Sequence, residues 1–223
     1  MAILTLFTRT LTSGVVSSNA SVHQLSTTQG GTAGGTADGT AFVPVAGTNY
    51  NVGPGTNVIA TPGGTITGTG KGWIYDTQPN QGILNGTWTI NFEAVRGTGG
   101  THTGHLICEV YKVTATTTTV TKVTLIGTAD SGLVTLTTTA SRFAATFSGS
   151  QITFNSGEYL YVQIFWECTT VGTGNFSHLV DDSSATVVED VLTPTLITLG
   201  EMDAASQFGQ KDPVRERVEI LAY

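Results

Sequence analysis

From about residue 72 onward the side chains alternate in twos. Trp88, Ile90, Phe92 and Ala94 fall on one side of an extended chain, and Thr87, Thr89, Asn91 and Glu93 on the other. A period of two fits a strand with one face buried and excludes a helix, whose faces repeat every 3.6 or so residues. The pattern recurs at 106–113, 119–127, 133–137, 142–147, 176–180 and 187–199, broken by glycine-bearing turns at 97–100, 131–132, 155–157 and 172–174. Tyr159 through Trp166 is apolar on both faces, which predicts a central strand covered on both sides. Strands spaced by about ten residues with turns of this kind predict an all-β fold, an antiparallel jelly-roll-like β-sandwich over residues 71–199.

The flanks differ from this body. Residues 1–70 contain thirteen glycines, long runs of Thr, Ser and Ala, and only Arg9 and Asp38 as charges. They read as an extended N-terminal arm with short strands, the first over residues 3–8. Ordering a glycine-rich arm costs conformational entropy that its small side chains barely offset. Its contacts therefore come either from partner subunits or from wrapping its own sandwich. Residues 200–223 form a second, C-terminal arm carrying eight of the chain's charges: Glu201, Asp203, Lys211, Asp212, Arg215, Glu216, Arg217 and Glu219. Asp212 and Pro213 suit the start of a helix, with Val214, Val218 and Leu221 at helical spacing, but the same stretch nearly alternates and also suits a strand.

Charged residues are 11% of the chain, against roughly 25% in an average domain. The net charge of −7 and the scatter of nine basic residues argue against nucleic acid as a partner. No apolar run is long enough to cross a membrane as a helix, and the start lacks a basic segment ahead of an apolar one, so synthesis in a cytoplasm without a signal peptide is expected. Cys108 and Cys168 lie in separate strand-like segments and read as buried thiols.

Catalytic patterns fail one by one. Ala129-Asp130-Ser131-Gly132-Leu133 lacks the flanking glycines of a serine-protease nucleophile and reads as a hairpin turn, with neither His102 nor His105 in a recognisable base motif. Glu201-Met202-Asp203 begins a glycosidase-like carboxylate series, but position 206 is serine; Glu93, Glu109, Glu158 and Glu167 are isolated on strands and are expected to face solvent. His102 and His105 have an odd spacing that puts them on opposite faces of a strand, against metal binding; Asp181-Asp182 reads as a solvated turn; Gly68 to Gly72 lacks the first glycine and the hydroxyl of a phosphate loop. No catalytic residue, cofactor or metal is expected.

The segments Gly72-Trp73-Ile74-Tyr75-Asp76, Gly86 to Phe92, Ile107 to Val113 and Gly157 to Val162 resemble a jelly-roll module of virion proteins of tailed bacteriophages. The resemblance covers residues 71–199 and implies a non-enzymatic adhesion or assembly unit. The expected function is that of a capsid decoration, or cement, protein on the exterior of the virion, with the major capsid protein and copies of itself, as a trimer, for partners. The expected grip is Ile3, Leu4, Leu6 and Phe7 in the first arm, adding a strand to a neighbour's sheet, with Val214, Arg215, Arg217, Val218, Ile220 and Leu221 in the second. The alternative is a tail, collar or fibre module that binds host-surface carbohydrate through Trp73 and Tyr75.

Overall fold

Alternation of buried and exposed side chains is realised as fifteen strands in the computed structural model, which describes residues 2–28, 36–37, 41–63, 71–77, 81–180 and 190–198. In chain order they are β1 (Ala2–Thr12), β2 (Val22–Ser26), β3 (Thr36–Ala37), β4 (Thr48–Asn51), β5 (Val58–Ile59), β6 (Gly72–Tyr75), β7 (Gln81–Ile83), β8 (Gly86–Arg96), β9 (His102–Ala115), β10 (Val120–Leu136), β11 (Ser141–Gly149), β12 (Ile152–Phe154), β13 (Glu158–Thr170), β14 (Phe176–Val180) and β15 (Asp190–Thr198). No helix occurs among the described residues.

The strands make one large mixed sheet. Its main path is β10-β9-β13-β6-β2-β1-β15-β8-β14-β3; β11 flanks β8, β4 flanks β13, β5 flanks β4, and β7 joins β15 to β12. The described pairings are antiparallel except that of β2 with β6, which is parallel. That one pairing departs from the antiparallel expectation.

The sheet doubles back, so the inner faces of its distant parts share a core. Trp88, Ile90, Phe92 and Ala94 of β8 pack in one cluster with Leu106, Cys108 and Val110 of β9 and Leu160, Val162, Ile164 and Trp166 of β13. Trp166 stacks on Phe176 with ring centroids 5.0 Å apart, and Trp88 stacks on Phe147 at 5.5 Å. A second cluster lies on the opposite face of β9 and β13, where Tyr111, Val113 and Tyr161 meet Ile74, Val16 and Val22. β13 is thus buried on both faces, as its doubly apolar sequence predicts.

Three sequence expectations are revised by the pairing. The segments 119–127 and 133–137 are one strand, β10, because Asp130 to Gly132 forms a bulge rather than a hairpin turn; the ladder to β9 resumes at Leu133 opposite His105. Gly132 takes the left-handed conformation there (φ 69°), which glycine adopts without steric cost. The outer face of β8 is not uniformly solvated, since Asn91 and Glu93 are buried along with the apolar residues of the inner face. Of the two outcomes open to the N-terminal stretch, its described strands follow the second and wrap their own body: β1, β2 and β4 all join the sheet.

Cys108 and Cys168 are free, buried thiols. Their strands do neighbour each other, but Cys108 stands opposite Ile164 and Cys168 opposite Gly104, so the register keeps them apart.

Candidate functional site

A strand can extend a neighbour's sheet only through an unpaired edge. One edge of β1 is taken by its own chain from Ala2 to Phe7, which pair with β15, and the other is taken by β2 at Phe7, Thr8 and Thr12. Leu6 is wholly buried, Leu4 packs against the core and Phe7 is half-buried, leaving Ile3 exposed. Of the four residues expected to grip a neighbour, Leu4, Leu6 and Phe7 thus help hold their own body together, and Ile3 is the one whose side chain stands in solvent. Val214, Arg215, Arg217, Val218, Ile220 and Leu221 lie outside the described residues, as do Asp181, Asp182, Glu201 and Asp203.

Trp73 and Tyr75 differ in their access to solvent. β6 directs Trp73 into the core with no solvent contact, where its indole N–H donates to the Arg9 carbonyl at 3.2 Å. A sugar ring has no face of Trp73 to stack on. Tyr75 is half-buried against the same core, and burial, aided by the Asp76 charge, pushes its phenol above the ordinary value.

Four of the exposed apolar side chains lie close to β4 in the chain or pair with it. Val43 (57% exposed) and Val45 (60%) are in the segment leading into β4, and Val58 (43%) and Ile59 (75%) form β5, which pairs with it. Tyr50 of β4 links these segments: its hydroxyl accepts from the Val45 N–H at 3.0 Å, its ring lies 4.5 Å from that of Phe42, and its cross-strand partner is Ile59. Among the described residues β5 pairs only with β4, leaving its other edge without a ladder partner there. Among the described residues this rim combines the conditions that mark a contact surface, exposed aliphatic groups beside unpaired backbone. Its signal in the sequence was the run Phe42-Val43-Pro44-Val45 amid glycine and threonine, which the reading of residues 1–70 as one low-complexity arm passed over.

The carboxylates expected in solvent are mostly inside. Glu93 and Glu109 are each 2% exposed. Glu109 sits on the outer face of β9, where one oxygen accepts from the Gly63 N–H and the other from the Tyr111 hydroxyl at 2.5 Å. Burial, reinforced by that carboxylate, pushes the Tyr111 phenol far above its ordinary value, so it stays a donor. The Lys122 ammonium lies 4.1 Å over the Tyr111 ring. Glu167 is half-buried.

Glu158 is paired rather than free. It accepts from Lys112 Nζ at 3.1 Å and from the Asn155 backbone N–H at 2.8 Å, closing the turn between β12 and β13. Burial alone would push its carboxyl up, but those donors outweigh it and hold it below the ordinary carboxylate value. A depressed folded-state value contributes stability that is present above the unfolded value and lost as pH falls through the folded one. Glu158→Gln is accordingly expected to lower the melting temperature at pH 7, with the gap from wild type closing as the pH is taken below the carboxylate range. Thermal melts in a pH series check this; a gap independent of pH would assign the loss to packing instead.

His102 and His105 do take opposite faces, as their spacing predicts. His102 is wholly buried; its Nδ1 accepts from the Gly172 N–H at 3.2 Å, so Nε2 carries the proton and donates to the Gly174 carbonyl at 2.8 Å. It ties together two glycine loops packed so closely that a β-carbon at Gly99 would fall on the Thr173 carbonyl. His105 faces outward and pairs with Asp130 at 2.9 Å. The adjacent Ser131 hydroxyl donates to the Gly132 carbonyl at 2.8 Å and accepts from the Leu106 N–H at 3.0 Å, which commits its proton to the bulge. A concavity of about 430 Å³ between β10 and β12 is lined by Lys112, Thr124, Leu125, Ile126, Gln151 and Thr153, among others. The Lys112 amine on its wall is already engaged by Glu158 and the Thr153 carbonyl.

No family model matches the sequence, and no curated protein matches it. Among solved structures, a CocE/NonD family hydrolase from Staphylococcus aureus aligns with 86% of this chain at 10% identity and a TM-score of 0.47. The chain spans 36% of that protein's length, and a likeness this slight carries no assignment of chemistry.

Proposed function

We propose that this chain is a non-enzymatic structural protein of a tailed-bacteriophage virion, a jelly-roll-like body that decorates and stabilises the outside of an assembled capsid. The observation that supports the reading best is the apolar rim of Val43, Val45, Val58 and Ile59 beside β4 and β5, where β5 has no ladder partner but β4 among the described residues. A body with so few charges gains affinity from buried area and backbone pairing rather than from ion pairs, and such contacts favour a continuous lattice over a single free coat subunit. Binding assembled neighbours but not their separated subunits is how a decoration protein stabilises a shell. The carbohydrate-binding alternative keeps only half-buried Tyr75 of its two named aromatic residues.

The test pairs two measurements. Quantitative mass spectrometry of purified particles is expected to find this chain in a small-integer ratio to the coat protein; a number on the order of a dozen copies would instead place it at a symmetric tail or collar ring. Co-sedimentation with assembled shells is expected for the wild type and lost, by about tenfold in affinity or more, for a Val45→Asp, Ile59→Asp variant that melts like the wild type. Undiminished binding by that variant would remove the rim from the mechanism.

A further inference from the structure

Residues 52–63 cross from β4, at the edge of β13, toward β9. They carry β5, and so Val58 and Ile59, along the way. At the near end this strap is anchored by backbone and side chain: the Val52 N–H donates to the Ile164 carbonyl at 3.0 Å, and the Gly53 N–H donates to Asn51 Oδ1 at 3.1 Å. In its middle the Ala60 N–H donates to the Asn49 carbonyl at 3.0 Å, and Lys71 Nζ donates to the Thr56 carbonyl. At the far end the Glu109 carboxylate receives the Gly63 N–H. Gly63 is in the left-handed conformation (φ 79°), which lets the strap turn its N–H down onto the sheet at that point.

Glu109 is an odd occupant for a strand interior. It is 2% exposed, its cross-strand neighbours are Thr128 and Gln163, and neither is a cation. A buried carboxylate is costly unless its oxygens are satisfied, and here one oxygen is satisfied by the strap and the other by Tyr111. Leu or Val at this position would fit the second apolar cluster beside it without that cost. What a carboxylate adds is a charge-assisted acceptor for the Gly63 backbone N–H.

We propose that Glu109 is a positioning residue for the docking rim: it fastens the far end of the 52–63 strap to the sheet and thereby holds Val58 and Ile59 in place for the partner surface. This inference rests on the reading of the rim as the contact surface, and it deepens that reading by naming the group that sets the rim's geometry. The strap is ordered before binding, so less conformational entropy is lost when the partner arrives.

The test uses the full chain with Glu109→Ala and Glu109→Gln, read by hydrogen exchange and by attachment to assembled shells. Glu109→Ala is expected to speed exchange across residues 53–63 by about tenfold, the equivalent of one charge-assisted hydrogen bond, while exchange in β13 stays near wild type. Its attachment to shells is expected to weaken in step. Glu109→Gln keeps an oxygen for the Gly63 N–H and an amide that can donate to the Tyr111 hydroxyl, so it is expected to restore both readouts in large part. Unchanged strap exchange in Glu109→Ala overturns the fastening. Faster strap exchange with undiminished attachment overturns the link to the rim. The exchange readout needs no shell, so it stands or falls separately from the virion reading, whose own failure is the absence of wild-type attachment.

Discussion

Deleting residues 2–12 is expected to leave a chain that no longer folds cooperatively. β1 lies between β2 and β15 in the sheet, with ladder partners on both sides. It contributes Leu6 and Thr8, both wholly buried, and the Arg9 carbonyl that satisfies the Trp73 indole. Losing one buried leucine alone costs about 2–5 kcal/mol. Removing the strand also opens the edges of β2 and β15, a template for association with other chains. A typical domain has only about 5–15 kcal/mol in hand, so the sum consumes most or all of it. Circular dichroism with a thermal melt, and limited proteolysis, check the outcome. A deletion variant with a native spectrum and a cooperative transition would show that β1 is an appendage. A detachable arm, as the composition of residues 1–70 suggests, would instead be lost without harm to the fold.

Trp73→Ala is expected to be the most damaging single substitution among the residues first considered for binding. The side chain is fully enclosed in the main core cluster, and its N–H links β6 to β1. Truncating a buried tryptophan costs about 3–5 kcal/mol and leaves the Arg9 carbonyl without that donor. For a chain of this length the melting temperature should fall by roughly 10 °C or more. Differential scanning calorimetry decides it. A variant with unchanged melting but lost glycan adhesion would restore the carbohydrate reading and contradict the burial. The rim variant of Val45 and Ile59 is the counterpart, since those side chains stand in solvent and their replacement should leave the melt unchanged.

Much of the secondary structure was legible because strand periodicity is a local property. The inward set of β8 and the doubly covered β13 follow directly from which residues are apolar at alternate positions. The opposed faces of His102 and His105 follow from their odd spacing alone. The bulge in β10 is not legible locally, because Asp-Ser-Gly serves equally for a hairpin turn. What distinguishes the two is whether the next residue meets the same partner strand, and Leu133 does.

The candidate site was legible only in part, for the same reason carried further. Nothing local separates a carboxylate on a solvated strand face from Glu109, whose face is reached by Gly63 from forty-six residues away. Nor does composition show that a strand in a low-complexity stretch, such as β1, will find both of its partners within its own chain. By itself the sequence determined the β character of the chain, the inward and outward sides of its best-patterned strands, and its scarcity of charge. Those are set by the covalent geometry of extended backbone and by side-chain chemistry. Tertiary structure alone decided which strands are edges, which polar groups are buried and where exposed aliphatic side chains collect. Each of these depends on pairings between residues far apart in the chain, whose register is set by the whole core at once.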